Sequence, residues 1–162
     1  LCEVNYVDEL EDILNNRGID KRNVILTGSE ILAQMGIRPN NDLDVIIKPY
    51  ILDTGVFECP GRSAFRWRIN LSSNIELYRN HLHFVGITDN DIFSNHWYNT
   101  YNGWNIIPLE ICYLMKKELG REKDQRDVKL MERYDPQISR KSKAYEQPMI
   151  KKAFYKIICR IW

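Results

Sequence analysis

No stretch of this sequence approaches the roughly 18 consecutive apolar residues that a membrane-crossing helix needs. A basic leader is missing too. Glu3, Asp8 and Glu9 stand where a secretory signal carries positive charge, so no export signal is expected. Cysteine is sparse: Cys2, Cys59, Cys112 and Cys159 are far apart and form no CxxC pair. That spacing argues against a zinc ribbon or a disulfide scaffold, and it fits a reducing, cytoplasmic setting. There is no internal repeat and no low-complexity tract. Net charge is nearly absent at +1, which speaks against a globally basic nucleic-acid binder.

What is present is an ordinary globular composition, 44% hydrophobic and 28% charged over 162 residues. That is one domain, or a compact domain with an appendage, and it is long enough to bury a core without staples. The charge is unevenly placed. From Arg140 onward there are seven Lys/Arg and one Glu, so a basic tail follows an acidic body.

Hydrophobic periodicity divides the chain. Val7, Leu10 and Leu14 predict a helix over 6–17. Val24-Ile25-Leu26 reads as a strand ending at Thr27-Gly28-Ser29, and Ile31, Leu32 and Met35 as a helix stopped by Gly36. Residues 42–48 read as a strand and 49–63 as loop. Residues 64–70 and 74–79 read as strands joined in a hairpin through Ser72-Ser73. No clear period emerges over 80–107. Pro108 is placed like an N1 proline of a helix ending at Gly120. A further helix covers 122–134, a polar linker 136–147, and a last helix 148–161. This order predicts an α+β fold, with a small mixed sheet early and helices packed later.

The chemistry concentrates in residues 24–47. Strand alternation puts Asp42 and Asp44 on one face, with Leu43, Val45 and Ile47 on the other. Same-face neighbours lie roughly 6.7 Å apart at Cα, so the carboxylates repel unless a cation sits between them. Mg²⁺ fits, since it takes one or two protein carboxylates together with substrate phosphates. The plainer reading is an exposed Asp pair at a strand entrance. Gly28-Ser29, between strand and helix, lets backbone approach an anion. Ser29 could equally be an N-cap.

A hydrophobic strand ending in Gly28-Ser29, then a helix, then Asp42-Leu43-Asp44 resembles the nucleotidyltransferase superfamily with the DNA polymerase β fold. Ile75-Glu76-Leu77 matches the superfamily's third acidic element. Arg38 and Asn40 resemble the Arg-x-Thr/Ser-x-Asp entry of small bacterial members, with Asn in the Thr/Ser place. Lys116, Gly120-Arg121, Lys123-Asp124 and Asp127 resemble the helical segment of lincosamide-modifying and abortive-infection toxin nucleotidyltransferases. The resemblance spans residues 24–130. It implies a nucleotidyltransferase domain over 1–135; composition and helical spacing place a linker and a basic amphipathic helix over 136–162. It implies two Mg²⁺ ions on Asp42, Asp44 and Glu76, and an NTP held by Gly28, Ser29, Arg38 and Lys116. It also implies transfer of a nucleoside monophosphate to a hydroxyl acceptor, with release of pyrophosphate. The modest size favours a small acceptor over RNA or protein. The alternative is a non-catalytic module that keeps the fold to bind a nucleotide or partner.

Other features carry two readings each. Residues 116–127 could be a solvated helix face with pairs such as Lys123 with Asp127. Lys116, on an apolar helix face, could instead reach phosphates. His81-Leu82-His83 could be a same-face metal pair on a strand, or a surface loop. His96-Trp97-Tyr98, Tyr101 and Trp104 could stack a ring or pack as core. Cys112 among Ile111, Leu114 and Met115 reads as a buried hydrophobe. In the tail, Phe154, Ile157, Ile158 and Ile161 form an apolar stripe, with Lys151, Lys152, Lys156 and Arg160 around it. Such a helix could lie on an anionic membrane, touch RNA, pair in a homodimer, or dock on the acidic body.

Overall fold

The structure is a computed structural model that describes residues 6–58 and 65–161, with Arg160 and Ile161 as backbone only. Cys2, Cys59 and the end of the predicted loop over 49–63 lie outside the described residues.

Six strands form one mixed sheet: β1 (Val24–Thr27), β2 (Leu43–Ile47), β3 (Trp67–Asn70), β4 (Ile75–Arg79), β5 (Asn99–Tyr101) and β6 (Trp104–Ile106). Their spatial order is β3-β4-β2-β1-β6-β5. The β1–β2, β3–β4 and β5–β6 pairs are antiparallel, whereas β2–β4 and β1–β6 are parallel. Among the described residues eight α-helices accompany the sheet: α1 (Tyr6–Asn15), α2 (Glu30–Gln34), α3 (Pro49–Leu52), α4 (Asp89–Ser94), α5 (Leu109–Leu119), α6 (Glu122–Tyr134), α7 (Ile138–Ser142) and α8 (Met149–Ile161). The fold is α+β with a mixed sheet. No helix among the described residues is long and apolar enough to cross a membrane.

Strand register sorts side chains to the two faces of the sheet, and the central strands β1 and β2 are buried on both. Leu26 lies opposite Val45, and Val45 opposite Leu77, and all three are fully buried. Each such aliphatic side chain contributes roughly 1.5–3 kcal/mol on burial. One residue along, Thr27 lies opposite Asp44, and Asp44 opposite Glu76. Because strand side chains alternate, this polar row shares the other face.

The uncertain stretch over 80–107 resolves into local devices. Asn80 turns the chain with a left-handed φ of 52° as β4 ends. Thr88 caps α4 through a capping box with Asp91. Asn102 and Gly103, both left-handed, join β5 to β6 in the manner of a tight hairpin.

Three expectations need correction. Part of the predicted 49–63 loop is the short α3, which starts on Pro49, a residue suited to a first helical turn. Pro108 sits one position earlier than expected, as the N-cap of α5 rather than N1. The predicted linker contains α7, whose Ile138 is fully buried, and Tyr145 packs edge-on against Trp97 with centroids 5.5 Å apart. One apolar anchor and one aromatic contact therefore tie a polar stretch to the body.

Helix α8 rests on that body through its lysines. Lys151 Nζ lies 3.0 Å from Asp91 and Lys156 Nζ 3.1 Å from Glu118, while Tyr155 stacks on Phe65. Met149, Ile150, Phe154 and Ile157 are left exposed.

Candidate functional site

All seven residues singled out in the sequence line one cleft of about 580 Å³: Gly28, Ser29, Arg38, Asp42, Asp44, Glu76 and Lys116. The ends of β1, β2 and β4 bring Gly28, Ser29, Asp42, Asp44 and Glu76 there, the segment between α2 and β2 brings Arg38, and α5 brings Lys116. Gly28 follows β1 directly and turns the chain with φ +66°, a conformation natural to glycine. The turn lies against the Asp44 carboxylate, so closely that a Cβ on Gly28 would collide with Asp44 Oδ2. The Cys112 thiol of α5 donates to the Gly28 carbonyl at 3.3 Å and holds the turn from behind. Cys112 is otherwise buried, as its apolar neighbours suggested. Asn40 donates to Glu30 at 3.3 Å and to the Asp42 carbonyl, which shapes the entry to β2.

Asp44 carries the electrostatic signature of the cleft. Burial first, then the negative charges of Asp42 and Glu76, raises its carboxyl to about 7. Lys116 and Lys123 pull against them. Among the described residues no group of three His, Cys, Asp or Glu side chains forms a ready-made metal cage.

Lys116 is not solvated. It is only 3% exposed, and its Nζ lies 3.0 Å from Ser29 Oγ, 2.7 Å from Asp127 and 3.5 Å from Asp124. Arg38 closes on the same Asp127 with two parallel bonds of 2.6 and 2.7 Å, and Arg121 grips Asp124 at 2.6 and 3.2 Å. Burial would raise both aspartates, yet their hydrogen bonds to these cations outweigh it and hold both below the usual carboxylate range. Within 116–127 only Lys116, Asp124 and Asp127 turn inward; the rest is a solvated face, with an i,i+4 pair between Arg126 and Glu122, and the expected Lys123–Asp127 pair is replaced by Asp127 with Lys116 and Arg38. The network ties the Gly28-Ser29 turn to α5 and α6.

Around Glu76 lies a second set of side chains. Tyr78, two residues along the same strand face, donates its hydroxyl to Glu76 Oε2. Arg68 reaches Glu76 from β3 at 3.7 Å. The His81 ring meets the Tyr78 ring at 4.1 Å, and Arg66, Phe84, Arg121 and Lys123 complete the lining. Burial, then the charges of His83, Arg66 and Arg121, lowers His81 to about 3, so its imidazole is neutral. The expected His81–His83 strand pair does not form, because the strand has already ended at Arg79 and His83 turns to the Asn80 carbonyl at 3.1 Å.

Several of these residues carried a readable signal. Tyr78 follows Glu76 at the same-face spacing, and the β3–β4 hairpin register puts Arg68 opposite Tyr78. Asp124 and Asp127 sit three apart on one helix face and had a buried lysine to meet. The aromatic patch is core except for the exposed His96: Trp104 is buried, and Trp97, Tyr98 and Tyr101 pack against the core, none of them lining the cleft. No family model, curated protein or solved structure matches the chain.

Proposed function

We propose that this cleft is the site of a Mg²⁺-dependent nucleotidyltransferase with a polymerase β-type fold. It would move a nucleoside monophosphate from an NTP to a hydroxyl acceptor and release pyrophosphate. The observation that carries this reading is the row formed by the Gly28 turn, Asp44 and Glu76. Three adjacent strands contribute a glycine turn, an Asp-x-Asp and a glutamate to one end of one cleft.

The donor set fits Mg²⁺. It consists of carboxylate oxygens, and its central member, Asp44, is raised by burial and by the like charges beside it. Asp42, Asp44 and Glu76 would hold two ions. Bound there, Mg²⁺ supplies charge neutralisation for the triphosphate and for the attacking and leaving oxygens of an in-line displacement. The remaining work belongs to the chain. The Gly28 turn, bare of a side chain, lets the Asp44 carboxylate come up against the backbone at the cleft. Lys116 fixes that turn by bonding Ser29 while Asp127 and Asp124 hold Lys116 in place. Tyr78 orients the Glu76 carboxylate, whose place is at the acceptor hydroxyl as ligand or general base.

The test is incubation with each α-phosphate-labelled NTP, Mg²⁺, and a lysate separated into RNA, protein and small-molecule fractions. Magnesium-dependent label in one fraction, absent with the Asp44→Asn protein, is the expected result. If no fraction takes label and no NTP binds with Mg²⁺, the reading is wrong.

A further inference from the structure

Among the described residues that line the cleft, two carry a hydroxyl, Ser29 and Tyr78. Ser29 belongs to the glycine turn, and its oxygen is held by Lys116 at 3.0 Å. Tyr78 differs, because its hydroxyl meets a carboxylate of the acidic row. It lies two residues beyond Glu76 on the same face of β4, and its phenol donates its proton to Glu76 Oε2. The same oxygen accepts a hydrogen bond from Arg68, its register partner on β3. A hydroxyl oxygen has two lone pairs, so one remains beside Arg68. The ring is fixed edge-on by the His81 ring at 4.1 Å, and the half-buried side chain opens on the cleft. Both partners of the hydroxyl are themselves cleft residues, so packing alone does not account for it. A base already holds the proton, and a cation stands beside the oxygen where negative charge would develop. That is how a weak oxygen nucleophile is activated.

Resting on the transfer reading above, we propose that Tyr78 is itself a hydroxyl acceptor, so that each chain nucleotidylates its own tyrosine. The phenolic oxygen forms a bond to the α-phosphorus of the NTP, and the bond from that phosphorus to the bridging oxygen breaks. Pyrophosphate leaves with the electron pair, and the phenol proton passes to Glu76. The product is an aryl phosphodiester that joins Tyr78 to a nucleoside monophosphate. Its oxygen has no proton left to give Glu76, and the attached nucleotide occupies the cleft. The step therefore runs once per chain and closes the site to an external acceptor.

The experiment incubates the full chain with Mg²⁺ and ATP, CTP, GTP or UTP labelled at the α-phosphate, with no lysate present. The protein is then denatured, and the label is followed by intact mass and peptide mapping. The expected product carries one nucleotidyl group per chain, on Tyr78. The bond should survive acid, as an aryl phosphodiester does and a phosphoramidate on lysine or histidine does not. The rate constant should not change on dilution of the protein, since nucleophile and carboxylates share one chain. Tyr78→Phe should still bind NTP with Mg²⁺ and lose the label. A wild-type chain that binds NTP with Mg²⁺ but stays unlabelled, or carries its label on another residue, overturns the inference and leaves the transfer reading standing. So does a rate constant that rises with protein concentration, or a Tyr78→Phe chain labelled as fully as wild type. A wild-type chain that binds no NTP with Mg²⁺ overturns the transfer reading, and this inference with it.

Discussion

The Asp44 carboxylate occupies the space that a Cβ on Gly28 would take. The glycine is therefore required twice, once for its left-handed φ and once for the approach of a neighbouring strand. Gly36 separates the two demands, since its φ is +68° but nothing lies within 4 Å of its Cβ position. Gly36→Ala should cost about 1–2 kcal/mol from backbone strain alone. Gly28→Ala should cost that and more, because Asp44 must also move. Melting temperature and Mg²⁺-dependent NTP affinity, measured on both variants, divide the effects. Gly36→Ala should keep its affinity and Gly28→Ala should lose it. Equal affinities would remove the turn from the site.

Lys116 is the buried centre of a charge network, which changes what its loss should do. Truncation leaves Asp124 and Asp127 buried with one cation fewer between them. Breaking a buried pair in this way costs about 3–5 kcal/mol. Lys116→Ala should therefore be strongly destabilised in urea unfolding. Adding Asp127→Asn should cost less than the two single changes summed, because the groups share one network. Simple additivity would mean that Lys116 and Asp127 do not interact in solution.

The site residues at β2 were legible because strand alternation is a short-range signal, and in DLDVII it puts Asp42 and Asp44 on the face opposite Leu43, Val45 and Ile47 with no help from the rest of the chain. The burial of Lys116 was not, since it depends on two aspartates from the next helix, and a charged run reads as solvated unless that helix turns its acids inward. The β5–β6 hairpin is a different case. Asn102-Gly103 is a strong local turn signal, but aromatic residues on both sides obscured the strand period. Helix α7 was hidden by composition, because a polar stretch reads as linker when its one anchoring residue, Ile138, is outnumbered. Arg68 and Tyr78 needed the hairpin register, which a sequence suggests only once both strands are in place.

Asp89 provides a pH test away from the cleft. It is 1% exposed, accepts the Asn80 N–H at 2.8 Å, and returns its own N–H to Asn80 Oδ1 at 2.9 Å. Burial raises its carboxyl from 3.8 to about 7, against the pull of Asn80 and Arg79. The folded protein thus binds this proton more tightly than the unfolded chain does. The group's contribution to stability is greatest below about pH 4, falls as pH rises towards 7, and is level beyond. Asp89→Asn cannot titrate and can still accept from Asn80. Its stability relative to wild type should improve between about pH 4.5 and 7.5, by at most about 4 kcal/mol. A difference independent of pH would show that Asp89 is not a buried titrating acid.

The acidic row bears the heaviest test of the proposed chemistry. Asp44→Asn keeps the shape of the side chain and removes the charge squeezed between Asp42 and Glu76. In EDTA the variant should melt higher than wild type, because like-charge repulsion and the cost of burying a carboxylate are both relieved. With Mg²⁺ and NTP the order should reverse, since wild type gains stability from ligand binding and the variant does not. Transfer should fall by several orders of magnitude, as each 1.4 kcal/mol of lost charge stabilisation is tenfold in rate. Asp42→Asn should behave likewise. Glu76→Gln should keep most of the NTP affinity and still lose transfer, because its place is at the acceptor. The two melting orders and the transfer rate form one set. A rise in EDTA alone would describe a strained acidic cluster with no metal function, whereas near-normal transfer by Asp44→Asn would end the nucleotidyltransferase assignment.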